Sequence, residues 1–179
     1  MVTLFRLNIF LIFVCIFGYM SIQLKKHIQT KNITQYNETI NTCLFLAALL
    51  IISLTLFPIE LSTKGLFAFN LIPLKTIIAF ILKGNIIDLS ANIIGNILLF
   101  IPLGFFSYIK LNQNKTKSKI LCLSTTLFVE TVQIILPARL FDVDDLILNF
   151  LGGYIGIHMA IIFIKYLSHH LADIDKSFQ

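Results

Sequence analysis

Charge is scarce in this sequence. Only 13% of its 179 residues are Asp, Glu, Lys or Arg, about half the share found in soluble domains. So few charges do not cover a water-facing surface, and 57% of the residues are hydrophobic, with a mean hydropathy of +0.88. A soluble globular domain is thereby excluded. Cysteine is sparse too. Cys15, Cys43 and Cys122 each lie in or at the end of an apolar run, without CxxC or Cys/His spacing. Neither a zinc site nor a disulfide framework is indicated. The net charge of +5 does not point to nucleic acid, because the lysines sit in short loops between apolar runs. That pattern is a topology signal.

What is present is a series of apolar runs. A membrane crossing needs about 20 apolar residues. The first run, Leu4 to Leu24, is long for a signal-peptide core and has no A-x-A-like cleavage site, so it reads as a transmembrane helix. Lys25 to Asn41 reads as a solvated loop, and its two N-x-T matches at Asn32 and Asn37 carry little weight. A second span is expected from Thr42 to Leu61, ended by Lys64-Gly65. The stretch Leu66 to Leu82 holds Asn70, Pro73 and Lys75 and is too interrupted to cross, so a re-entrant or interfacial segment is expected. Three more spans follow: Ile86 to Ile109, Ile120 to Leu136 and Leu146 to Leu167, with a polar tail from Ser168. The expected fold is an all-α polytopic transmembrane bundle of about five spans, a single domain over residues 1–179 without internal repeats.

Basic residues orient it. Lys25, Lys26, Lys31, Lys110, Lys115, Lys117, Lys119, Lys165 and Lys176 fall on one side, against Arg6, Lys64, Lys75, Lys83 and Arg139 on the other. The richer side is cytoplasmic, which puts the N-terminus outside and the C-terminus inside a multi-pass cell-membrane protein. The assignment requires that 66–82 does not cross.

That topology gathers polar residues near the outer face. Asn92 and Asn96 are four apart on the third span, Glu130 and Gln133 three apart on the fourth, and Asp145 and Asn149 four apart on the fifth, so each pair shares a helix face. Lys75, Arg139, Asp142 and Asp144 belong to the outer loops. An ionised side chain at the bilayer centre costs about 2.5–3.5 kcal/mol, and such carboxylates usually serve function. The amides and Glu130 are expected to satisfy one another, with Arg139 as a donor fork for a carboxylate. A structural reading stands beside this one. Single intramembrane Asn residues often serve only interhelical bonding. Asp144 and Asp145 suit a helix N-terminus, and Lys75 suits an interfacial anchor. Gly152 and Gly156, with Gly95 and Gly104 on the third span, read as close-packing positions. The histidines, His158 included, read as incidental. The Asp142–Asp145 run lacks EF-hand spacing, and neither metal nor cofactor is indicated.

Residues 92–105 (NIIGNILLFIPLGF) resemble the signature of the VanZ-like family. So does the block Glu130-Thr131-Val132-Gln133, Arg139, Asp142-Val143-Asp144-Asp145, Asn149 and Gly152-Gly153, and Asn70 to Lys75 resembles the family's N-x-x-P segment. The motif core spans 70–156. The resemblance implies a likeness to the accessory protein associated with resistance to teicoplanin, a glycopeptide antibiotic with a lipid tail. The outer polar cluster that carries these motifs supplies the candidate ligand-binding set of Lys75, Asn92, Asn96, Glu130, Gln133, Arg139, Asp142, Asp145 and Asn149. The partners expected are the bilayer and a lipid-linked envelope component or the lipoglycopeptide. Three functions compete: a binder or modulator at the envelope; an enzyme on a cell-wall lipid or phospholipid with Glu130 as acid/base; and a small transporter or complex subunit, where a homo-oligomer would supply the second half.

Overall fold

The computed structural model describes residues 18–19, 22–23, 33–56, 68–82, 86–136 and 140–177. Most of the expected first span, the Lys64-Gly65 break and Arg139 lie outside the described residues. The elements are α1 (Ile33–Leu56), β1 (Ala68–Asn70), α2 (Lys75–Leu82), α3 (Ile86–Lys110), α4 (Lys115–Ile135), β2 (Leu140–Asp142) and α5 (Val143–Ser177). Among the described residues, four helical stretches are long and apolar enough to cross a membrane: Thr34–Leu56, Asn92–Lys110, Lys115–Ile135 and Val143–His169.

Helix α4 begins five residues before the expected Ile120 and α5 three before Leu146, and two boundaries differ more. The helix α1 starts at Ile33, within the stretch read as a solvated loop. The reason is a buried stripe that begins in the polar stretch: Ile40, Cys43, Ala47, Leu50 and Ile51 face the core, with Tyr36 packed against it. That spacing is helical. At the other end, α5 continues through the polar tail to Ser177. The segment read as non-crossing contains a three-residue strand, a turn and α2. With eight residues, α2 is about 12 Å long, too short to cross.

The central seam joins α3 to α5, and glycine makes it. A Cβ on Gly104 would stand 2.0 Å from the Gly153 carbonyl oxygen, one on Gly152 2.1 Å from that of Ile97, and one on Gly156 2.0 Å from that of Ile101. Backbone therefore rests on backbone, as small-residue membrane interfaces allow. Gly95, expected to do the same, is exposed with nothing within 4 Å of a Cβ. Phe100, Phe106 and Ile157 fill the core beside the seam.

A tight reversal links α3 to α4. Asn112 and Gln113 adopt φ of 52° and 61°, and the Gln113 amide returns to the Tyr108 carbonyl at 2.9 Å. Asn114 then caps α4, its side chain accepting from the Lys117 amide at 3.0 Å. Hydroxyls elsewhere on the spans are largely satisfied by their own helix four residues back, as for Thr42, Ser53 and Thr131. These need no helix partner.

Candidate functional site

The strands β1 and β2 pair in parallel, with Asn70 opposite Asp142. This pairing brings the 66–82 segment against the start of α5. Asp142 is the residue before α5, and one of its carboxylate oxygens accepts from the Asp144 amide at 2.9 Å, an N-cap for α5. The same oxygen accepts from the Asn70 amide nitrogen at 3.1 Å, and the other accepts from the Thr76 hydroxyl at 2.5 Å. Asn70 also donates to Thr76 Oγ1 at 2.9 Å. Asp144, two residues later, receives the backbone amides of Leu74 and Thr76 on its two oxygens. A carboxylate from α5 thus caps α2, where negative charge suits the helix N-terminus.

The turn before α2 explains the asparagine–proline spacing. The Lys75 amide closes onto the Ile72 carbonyl at 3.3 Å, with Pro73 and Leu74 between them. Proline suits the first central position of such a turn, and a positive φ at the second normally calls for glycine. Here Leu74 has φ of 64°, a conformation costing on the order of 1 kcal/mol or more for a side-chain-bearing residue. Its amide is the one received by Asp144. The strained turn aims a donor at a buried carboxylate.

Deeper in the bundle, α4 carries a buried polar stripe: Ser118, Cys122, Thr126, Glu130 and Gln133. Glu130 is 1% exposed and accepts from the Asp142 amide at 3.2 Å. Gln133 donates to the Thr55 carbonyl of α1 at 3.1 Å. Asn149, also 1% exposed, donates to Thr126 Oγ1 at 3.2 Å, while its carbonyl oxygen has no partner. Asn96 donates to Asp145 at 2.6 Å.

Those of the predicted residues that are described are therefore brought to one end of the bundle, but their pairing differs from expectation. The amides and Glu130 do not chiefly bond one another. Glu130 meets a backbone amide, Gln133 a backbone carbonyl, Asn96 a carboxylate and Asn149 a threonine. Asn92 is partly buried one turn before Asn96, and Lys75 opens α2 with its side chain exposed. Sequence reasoning missed Thr76 and Thr126. Threonine on a helix commonly bonds its own backbone, so neither carried a signal apart from its partner. Among the described residues no group of three or more His, Cys, Asp or Glu side chains stands together as a metal site.

Four helices able to cross a membrane, with buried carboxylates and amides collected at one end, define a membrane protein with a polar site. The chain belongs to the VanZ/LLP1 family, whose family model matches residues 7–164, most of its length. The family name links the protein to glycopeptide resistance. No curated protein and no solved structure matches the chain.

Proposed function

We propose that the polar end of the bundle faces the outer leaflet and binds a lipid-linked envelope component or the lipid-tailed glycopeptide teicoplanin, contributing in that way to resistance. The N-terminus is then outside and the C-terminus cytoplasmic. The observation that carries the reading is the amide of Asn149. It is buried beside Thr126 and one turn deeper than Asp145, and one of its two polar atoms is unspent. Turning the amide over would only exchange which atom is left, since the Thr126 hydroxyl serves one of them. Buried polar groups are otherwise paired, and an orphan marks a place for water or a ligand group. Asn70, linked to Asp142 nearer the surface, leaves its carbonyl oxygen unspent as well. The site has acceptors to offer a headgroup rich in N–H or O–H donors, with Arg139 the nearest cation in sequence for an anionic part.

A second reading is supported by Glu130. A carboxyl buried in the bundle, one turn from Thr126 on the same helix, is suited to acid/base work on a cell-wall lipid or phospholipid. The test separates the two. A strain lacking the gene is complemented with wild type, Glu130→Gln, Asn149→Leu or Arg139→Ala at matched membrane levels, and teicoplanin susceptibility is measured. Binding predicts that Asn149→Leu and Arg139→Ala lose protection while Glu130→Gln keeps much of it. Catalysis predicts that Glu130→Gln abolishes it. Equal protection by all four proteins would sink both readings. A reporter fusion putting Lys115 outside the cell would overturn the orientation.

A further inference from the structure

At the end of the bundle opposite the acids, α4 and α5 form a second feature that the polar site does not use. Lys119, one turn into α4, holds its ammonium 4.9 Å from the centre of the Tyr154 ring of α5. The His158 ring lies 4.3 Å from the same tyrosine ring, and its Nδ1 donates to the Tyr154 carbonyl at 2.9 Å. Tyr154 and His158 are both exposed. These three residues are a preorganised notch, with the lysine fixed over an aromatic face.

Along α4 and α5 the flanking residues have one sign of charge. Lys115 shares the α4 face of Lys119, and Lys165 continues the α5 face of Tyr154 and His158. Both are exposed. From Lys110 to Val129, and again from Tyr154 to Lys165, the sequence contains no Asp or Glu. Farther along the same two helix faces the character changes to apolar. Leu123 and Leu127 follow Lys119 on α4, and Leu151 and Ile147 precede Tyr154 on α5, all four exposed.

The α4–α5 surface is thus basic and aromatic at one end and aliphatic along the rest, the profile of an amphiphile with an anionic head. We infer that this groove holds an anionic phospholipid, its phosphate at Lys119 and Tyr154 and an acyl chain along Leu123, Leu127 and Leu151. The lysine supplies charge, the tyrosine hydroxyl a hydrogen bond, and His158 fixes the tyrosine ring. The site is distinct from the acid-lined end and does not depend on what that end binds.

Native mass spectrometry of the purified full chain, mixed with equal amounts of phosphatidylglycerol and phosphatidylcholine, tests it. Wild type is expected to retain phosphatidylglycerol in preference. One lysine near a membrane surface accounts for about a fivefold change in binding to anionic lipid, so Lys119→Met should lower retention by about that factor. Tyr154→Leu should also lower it, and Lys119→Arg should keep it. Lys110→Met removes the same charge from α3, which forms neither wall, and should leave retention unchanged. Equal losses from Lys119→Met and Lys110→Met would overturn the proposal in favour of diffuse charge attraction. Equal retention of the two lipids by wild type would overturn it in favour of a merely apolar groove.

Discussion

The α3–α5 seam and the acid-lined end hold helices together by opposite means. In the seam no side chain intervenes: Gly104, Gly152 and Gly156 let carbonyl oxygens of the facing helix occupy the space of a Cβ. At the polar end, side chains do almost everything. Asp142, Asp144, Asn70 and Thr76 bind two strands, a strained turn and two helix starts into one network. Lipid is as apolar as leucine, so a membrane bundle gains little from burying more leucine and relies on close contact or hydrogen bonds. The seam is a place where nothing can be added. The polar end is a place where nothing can be removed without leaving a buried group unpaired.

The seam should break hardest. Gly156→Ala pushes a methyl group into backbone that has no rotamer to change, and we expect a loss of about 3 kcal/mol, the upper end of typical overpacking costs. Gly156→Leu should abolish stable accumulation. Unfolding in mixed micelles and membrane abundance would measure both. At the polar end, Asp144→Ala leaves the Leu74 and Thr76 amides without their acceptor, at about 1–3 kcal/mol for an unsatisfied buried group. The loss should be local. Hydrogen exchange should speed up over residues 74–78 while α3 and α5 keep their protection, and faster exchange throughout would show that the network holds the whole bundle. Gln133→Leu removes one bond to the Thr55 carbonyl and should cost about 0.6 kcal/mol, the average for membrane interhelical bonds. The one variant expected to cost nothing sharpens the contrast from the other side. Gly95→Ala meets open space and, by helix propensity, should leave stability unchanged or raise it by up to about 1 kcal/mol in the same unfolding assay.

Much of the polar end was legible from side-chain type and helical spacing. Asn96, Glu130, Gln133, Asp145 and Asn149 follow from which residues are out of place in hydrocarbon, and the antiparallel reversal at Asn112–Asn114 brings their ends together. Their partners were not legible. Backbone amides and carbonyls, such as those of Asp142 and Thr55, have no signature in sequence, and Thr126 looks like any other helical threonine. The start of α1 was obscured for a different reason. Its polar residues are conspicuous, while the buried stripe through Tyr36 and Ile40 is visible only when polar positions are counted as helix. The Lys119–Tyr154–His158 notch joins residues on different helices, and His158 alone gave no reason to look.

By itself the sequence determined that the chain lives in a membrane, because charge so scarce cannot solvate a surface, and that its polar residues gather toward one end, because helical period and loop order require it. Only the tertiary structure decided which of two similar glycines is indispensable. Gly95 and Gly156 lie in equally apolar helices, but close approach of a second backbone is a property of the packed pair. It likewise decided that Asp144 caps α2 as well as opening α5, since a carboxylate acquires its role from the donors that folding carries to it across about 70 residues of chain.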